Sequence, residues 1–358
     1  IEKSVDHELS GNIIDLCPVG ALNNKAYRYR ARAWEMTQHP LVSPHDCAGT
    51  NLYGHVLRGR LMRVVPRANE AINETWIADR DRYSCEGLYT EDRAHRPMVR
   101  EGGAWREVDW ETALEVAARG LRKVVQESGA GQLGFLVSPS ATLEEAYLAG
   151  RMARGLGSGN VDYRLRRIDF RDQAGDPPAP LLGCGIADLE QAAAVLVVGS
   201  ELRSEVPIIA HRIRKGAIRR GMKVALVNPR PQDLLFPVEA SLVSNGLGMS
   251  QHLAAVLKAA LRETGKPTPQ AVATALEGIV AGADHERVAK MLLTGDLRLV
   301  LLGALTERHV ANSEIRSLAA AIAEATGAKL GFLPEGGNAV GAALAGATPH
   351  RGVGGRPV

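Results

Sequence analysis

A chain of 358 residues is too long for one average domain, at about 150 residues per domain, and its 45% hydrophobic and 23% charged residues are ordinary for a globular protein. A net charge of +3 with only 4% aromatic residues argues against a nucleic-acid binder built on stacking platforms. No run reaches the roughly 18 uninterrupted apolar residues of a membrane helix, so direct membrane insertion is excluded.

Residues 1–35 read as an extension. The period-2 pattern of Tyr27, Arg28, Tyr29, Arg30 and Arg32 predicts a strand or extended segment lying on another surface. Residues 36–95 form a small β-rich unit. In it, NLYGHVLRGRLMRVVPR (51–67) predicts a hairpin turning at Arg58-Gly59-Arg60, and IADRDRYSCEGL (77–88) a short helix that turns at Gly87.

From about residue 96 the texture changes to strands alternating with helices. Helices are predicted at 108–129 and 142–157, with a short buried strand at 131–139 between them. A buried strand at 192–199, a basic helix at 208–221 and a strand at 223–230 follow. Helices at about 248–263, 269–279 and 284–293 lead to a strand at 297–303, a helix at 312–326 and a last strand at 328–333. Continuous apolar strands between helices predict an α/β fold, a doubly wound and mainly parallel sheet covered on both faces. The units 195–228 and 299–333 read as related halves. The Gly-rich stretch 334–355 is expected to be a flexible approach to a further domain.

Four cysteines at irregular spacing, Cys17, Cys47, Cys85 and Cys184, make no disulfide framework and fit a reducing compartment. Cys17 stands directly before Pro18, as the last cluster cysteine does in bacterial-ferredoxin-type runs. That proline removes an N–H and fixes φ, which turns the chain away from a buried cluster. By itself, one Cys-Pro reads rather as a buried apolar thiol.

The surrounding words carry more. ELSGNIIDLCPVGAL (8–22) resembles the segment that closes a [4Fe–4S] site in the large iron–sulfur subunit of NADH-quinone oxidoreductase, respiratory complex I. The segments 61–88, 96–114 and NVDYRLRRIDF (160–170) are similar to the same family. Beyond about 190 the likeness is to the generic molybdopterin-oxidoreductase fold. The resemblance implies that residues 1–35 are the end of a [4Fe–4S] ferredoxin-like domain. It makes 36–95 a small β-rich domain like the molybdopterin-oxidoreductase 4Fe–4S domain, and 96–358 a molybdopterin-oxidoreductase-like α/β domain that is incomplete at its C-terminus. It further implies that Cys17 is one [4Fe–4S] ligand, the other three lying upstream of Ile1, and that the chain alone holds no stable cluster.

Some members of this family carry a second cluster in the small domain. Here only Cys47 matches that ligand pattern; Pro44, Asn51 and Ala78 stand at the other three positions, and neither His45 nor Cys85 fits the spacing. No second cluster is expected, and Cys47, Cys85 and Cys184 read as inert buried thiols. After the strand ending at Gly199 there is no G-x-G-x-x-G, and Glu201 and Glu205 would repel a pyrophosphate. No molybdenum ligand can be placed, so no molybdopterin is expected. The helix bearing Arg212, Arg214, Lys215, Arg219 and Arg220 reads as a solvated face.

The resemblance implies an electron-transfer subunit that passes electrons from NADH, through FMN and iron–sulfur clusters, towards quinone, coupled to proton translocation. Its expected partners are other complex I subunits, above all the flavin-bearing NADH-oxidising subunit and the downstream iron–sulfur subunits, on the cytoplasmic side of a bacterial inner membrane. The competing readings are a working molybdopterin oxidoreductase of formate dehydrogenase type and a non-redox scaffold.

Overall fold

The computed structural model describes Val5 and residues 7–349. Strand β1 (Thr37–Val42), β2 (Asn51–Leu57) and β3 (Arg60–Pro66) form a three-stranded antiparallel sheet in the order β1-β2-β3. The β2–β3 hairpin turns where the sequence predicts. Arg58 (φ 49°) and Gly59 (φ 77°) both take the left-handed region, the twist that suits a tight hairpin. Leu52, Val64, Ile77 and Cys85 make the small core beneath it, against which the short helix Asp79–Tyr83 packs.

A hairpin of β4 (Met98–Glu101) and β5 (Ala104–Glu107) leads into helix Trp110–Ser128, which Asp109 caps by accepting from the Thr112 N–H at 2.7 Å. Helix Leu143–Gly155 opens on a capping box of Thr142 and Glu145. The predicted buried strand at 131–139 shrinks to two residues, β6 (Phe135–Leu136), paired in parallel with β7 (Val161–Asp162). Leu136 is exposed there.

The main sheet contains β8 (Ala194–Val198), β9 (Lys223–Asn228), β10 (Ala240–Val243), β11 (Arg298–Gly303) and β12 (Lys329–Leu333). All are parallel, in the order β10-β9-β8-β11-β12. The pleat sends alternate side chains to opposite faces. Leu196, Val198, Val300 and Leu302 meet helices Met249–Thr264, Ala283–Met291 and Asn312–Thr326 on one side. Val195, Val197, Leu299 and Leu301 meet Ile208, Ile209 and Ile213 of helix Pro207–Arg220 on the other. Both faces are covered, so every residue of β8 is buried. Each fully buried Leu or Ile contributes about 1.5–3 kcal/mol of transfer free energy.

Three local expectations fail. Residues 25–30 are a run of turns, held by Asn24 Oδ1 accepting from the Ala26 and Tyr27 amides, so the alternation of aromatics and arginines does not mark a strand. The predicted helix 269–279 becomes two 3-10 turns, Gln270–Val272 and Thr274–Leu276. The Gly-rich stretch is ordered through Thr348: helix Ala339–Leu344 buries Ala339 and Ala342 against Ala146 and Ala153. Its remaining residues, 350–355, lie outside the described part. The edge strands β1 and β10 and the β4–β5 hairpin have no counterpart in the sequence reading.

Candidate functional site

Cys17 caps the short helix Asn12–Leu16, its N–H donating to the Ile13 carbonyl. The chain then folds back so that the amides of residues 19–22 surround the sulfur, with the Leu22 N–H donating to Sγ at 3.5 Å. The Leu22 amide is the main cause that lowers the thiol pKa; slight desolvation opposes it, and the Val19, Ala21 and Gly20 amides add to it. Cys17 is half-buried, and its near neighbours along the chain Ile13, Leu16, Val19 and Leu22 carry exposed apolar side chains.

A buried latch holds this segment. Asn12, 4% exposed, donates from Nδ2 to the Ile77 carbonyl at 2.8 Å and accepts from the Ile77 N–H at 3.1 Å. Asp79 accepts from the Gly11 N–H at 2.7 Å and from Ser10. Arg82, 2% exposed, reaches Asp15. The sequence cue for this latch is the Asp79-Arg80-Asp81-Arg82 alternation that follows the apolar Ile77-Ala78.

Where relatives with a second cluster would hold it, the small domain is filled by a polar network. Ser43 Oγ donates to Asp81 Oδ1 at 2.6 Å, Arg80 donates to Asp46 Oδ2 at 2.8 Å, and His45 Nε2 bonds Ser84. Asp81 Oδ2 is buried without a partner. Desolvation raises the carboxyl pKa of Asp46 and Asp81, and burial likewise pushes the thiols of Cys47 and Cys85 up. Burial pushes the Cys184 thiol up to about 11, so all three thiols are held away from the thiolate form, but only Cys85 is buried outright; Cys47 and Cys184 are half-buried, against the expectation that all three are buried. Among the described residues no three His, Cys, Asp or Glu side chains are placed to hold a metal.

A folded-state pKa raised above the unfolded value gives stability below about pH 4 that is lost as pH climbs through the folded pKa. Asp81→Asn is therefore expected to gain melting temperature relative to the unsubstituted chain as pH rises above about 4, the gain levelling off once Asp81 is ionised in the fold. A difference independent of pH would show that Asp81 is ionised in the fold at no cost.

Strand order reverses between β8 and β11, where doubly wound sheets bind nucleotides beyond the carboxyl ends of their strands. Here that crevice is closed from within. The Leu305 N–H donates to the Gly199 carbonyl at 3.0 Å, and a Cβ on Gly303 would collide with Ser200 and that same carbonyl. The carboxylate of Glu205 accepts from Ser200 Oγ and from the Glu201 N–H, both at 3.0 Å, so a side chain of the loop occupies the donors a phosphate needs. Asn228, at the end of β9, exchanges two hydrogen bonds with the Ser200 backbone. Arg80 of the small domain donates to the carbonyls of Ser204 and Glu205. A dinucleotide pterin does not fit these residues. The Glu205 carboxylate was legible only as repulsion; its role as an internal ligand needed the loop's coordinates.

Beside the crevice lies a cleft of about 350 Å³ bounded by His45, Ser140, Arg164, Arg166, Glu307 and Glu335. Two arginines at or beside it are already matched. Arg164 pairs with Asp162 at 2.7 Å and Asp176 at 3.0 Å, while Arg167 pairs with Asp172 at 2.9 Å and Asp176 at 2.6 Å. Desolvation raises the pKa of Glu307. The basic helix departs from the expected solvated face: Arg212 is buried, and with Lys215 it binds Glu190 and Glu74 while donating to the Ile72 carbonyl, which clamps the small domain to the large one. Arg214, Arg219 and Arg220 are exposed.

Comparison with known proteins agrees with this geometry. The molybdopterin oxidoreductase family model matches residues 93–351. The NADH-ubiquinone oxidoreductase NDSU1/NuoG-like 4Fe-4S domain matches 42–86, and the NADH-quinone oxidoreductase subunit 3 ferredoxin-like domain matches 1–23. The G subunit of NADH-quinone oxidoreductase from Mycobacterium bovis is 30% identical across the whole chain, which covers 41% of that relative. Its Rickettsia felis counterpart is 34% identical over 63% of the chain and 33% of its own length. The mitochondrial 78 kDa subunit of NADH-ubiquinone oxidoreductase from Candida albicans is 32% identical over 63% of the chain and 31% of its own. The chain thus spans about a third to two fifths of the curated relatives it matches. Acetylene hydratase from Pelobacter acetylenicus shares the fold, with a TM-score of 0.55 and 13% identity over 80% of this chain and 41% of that one. Taken with a crevice that has closed on itself and a cysteine held ready at the surface, these matches show that the chain belongs to the molybdopterin oxidoreductase family and is a relative of the NuoG-like subunit of NADH-quinone oxidoreductase.

Proposed function

We propose that the chain is the cluster-closing and scaffolding part of the iron–sulfur subunit of NADH:quinone oxidoreductase, with Cys17 supplying one thiolate to a [4Fe–4S] cluster. The observation that carries this reading is the setting of Cys17 Sγ: half-exposed, approached by the backbone amides of residues 19–22, on a segment whose apolar residues Ile13, Leu16, Val19 and Leu22 are exposed. N–H groups aimed at sulfur stabilise the negative charge of a bound cluster, and an apolar rim keeps water from it. The cluster supplies one-electron transfer. The chain's own residues fix its position and local polarity, and need no acid, base or nucleophile for that task. Residues 1–35 are then the end of a ferredoxin-like domain, 36–95 a 4Fe–4S-type domain whose metal site has become a polar network, and 96–358 scaffold.

Its place in the enzyme is peripheral, against the flavin-bearing and downstream iron–sulfur subunits on the cytoplasmic side of a bacterial membrane. In keeping with this, none of the described helices is long and apolar enough to cross a membrane.

Metal analysis tests the reading. By itself the chain is expected to carry far less than the roughly four irons of one cluster, because it offers one of four thiolates, and no molybdenum or tungsten. Stoichiometric molybdenum or tungsten would establish the rival oxidoreductase reading. The chain preceded by a segment carrying three further cysteines is expected to gain about four irons and four sulfides.

A further inference from the structure

We propose that the end of the small domain formed by residues 25–34 and the β2–β3 hairpin tip is a docking face for an acidic protein surface. The proposal deepens the reading of the chain as a subunit of a larger enzyme, on which it rests. Residues 18–69 hold eight Lys and Arg against two carboxylates, Glu35 and Asp46, in a chain whose net charge is only +3. Asp46 does not offset this face, being buried on Arg80; Glu35, exposed and accepting from the Arg32 backbone N–H at 2.7 Å, removes one charge and leaves the excess positive. Arg28, Arg30, Arg32, Arg58 and Arg60 are exposed, and no ion pair joins any of them to a described residue.

These groups share one end of the fold. The Arg63 guanidinium lies 4.5 Å from the Tyr27 ring centre, which ties the turn segment to β3. Arg60 lies 3.9 Å from that of Tyr89, whose hydroxyl accepts from the Leu61 N–H. Arg28 sits over Tyr29 and Arg32 over Trp34. Stacking holds a guanidinium flat and leaves its N–H edge free for bidentate pairing with a carboxylate, at a lower ordering cost than a free side chain bears.

An independent observation is the adjoining apolar surface. Tyr29 is 94% and Trp34 82% exposed, and all six residues of edge strand β1, including Leu41 and Val42, are exposed. Arginine and aromatic residues mixed with apolar ones, and a single lysine (Lys25), match the composition of protein interfaces. A net charge of only +3 over the whole chain argues against a nucleic-acid backbone as the occupant. Nor is there an amphipathic basic helix here to lie on an anionic membrane.

The test uses the full-length subunit purified within its assembled enzyme. With Arg28, Arg30, Arg58 and Arg60 each changed to Lys, a zero-length carbodiimide is expected to join these lysines to Asp or Glu side chains of another subunit. The charge reversal Arg28→Glu, Arg30→Glu, Arg58→Glu, Arg60→Glu is expected to lower recovery of the subunit in the assembled enzyme at least tenfold, with an unchanged melting temperature for the free subunit. The proposal is overturned if the introduced lysines are acylated as readily in the assembled enzyme as in the free subunit. It is overturned equally if the reversal spares assembly but abolishes binding to a single-stranded oligonucleotide or to phosphatidylglycerol vesicles. Absence of the unsubstituted subunit from any assembled enzyme would remove the complex I reading and this one together.

Discussion

Cys17→Ala in the full-length subunit is expected to abolish one [4Fe–4S] signal in the electron paramagnetic resonance spectrum of the reduced enzyme, and to lower NADH:quinone activity by on the order of 100-fold or more. Loss of a partner behind a metal ligand already costs roughly 10–100-fold, and loss of the ligand itself costs more. The fold should not notice the change, because the side chain is half-exposed and its one hydrogen-bonding contact is a long N–H···S approach. An unaltered melting temperature with one missing signal is therefore the specific outcome. If every cluster signal survives, Cys17 is not a ligand.

Asn12→Leu is expected to act in the opposite order, on the fold first and the cluster second. Leucine is close to asparagine in length but strands the Ile77 N–H and C=O in a core where Ile77 is fully buried. Two orphaned backbone groups at about 1–3 kcal/mol each place the loss near 3 kcal/mol, before any loosening of the Asp79 and Arg82 contacts that share the latch. Calorimetry should show the small-domain transition shifted to lower temperature, with iron content of the full-length subunit falling alongside. Unchanged melting would mean that water replaces both bonds, and that the segment bearing Cys17 is held chiefly by Arg82 and Asp79.

The contrast between these substitutions separates two kinds of residue in the site. Cys17 touches the proposed cluster, whereas Asn12 positions it through the backbone. The same distinction applies at the sheet crevice. Glu205 binds its own loop, and Asn228 holds that loop against the end of β9, so the family's cofactor crevice has become packed interior. Arg212 and Lys215 then fasten the small domain across that region by pairing with Glu74.

Long segments with strong periodicity were legible in advance. Helix Asn312–Thr326 and strands β8, β9 and β11 fall where the alternation of apolar runs and helical spacing places them, because burial on both faces leaves an unbroken apolar signature. The β2–β3 turn was equally readable from Arg58-Gly59. Short or edge elements were not. β10 has only four residues and buries alternate ones, and β1 is exposed throughout, so neither carries a hydrophobic run. The turns at 25–30 misled because arginine and tyrosine alternate there to stack with one another, not to line two faces of a strand.

By itself the sequence determined the doubly wound class and the family likeness, and it singled out Cys17 as the candidate ligand. Each depends on residue identity or on spacing within a short window. Only the tertiary structure decided which charges are spent and which are free. Arg212, Arg164 and Arg167 look no different in the chain from Arg28, Arg30 and Arg58, yet the first three are paired with carboxylates from other elements and the last three face solvent. The reason is physical: a buried guanidinium needs its charge and N–H groups matched, and the partner comes from wherever the backbone has brought one, near in sequence as Asp176 is to Arg164 or far as Glu74 is from Arg212.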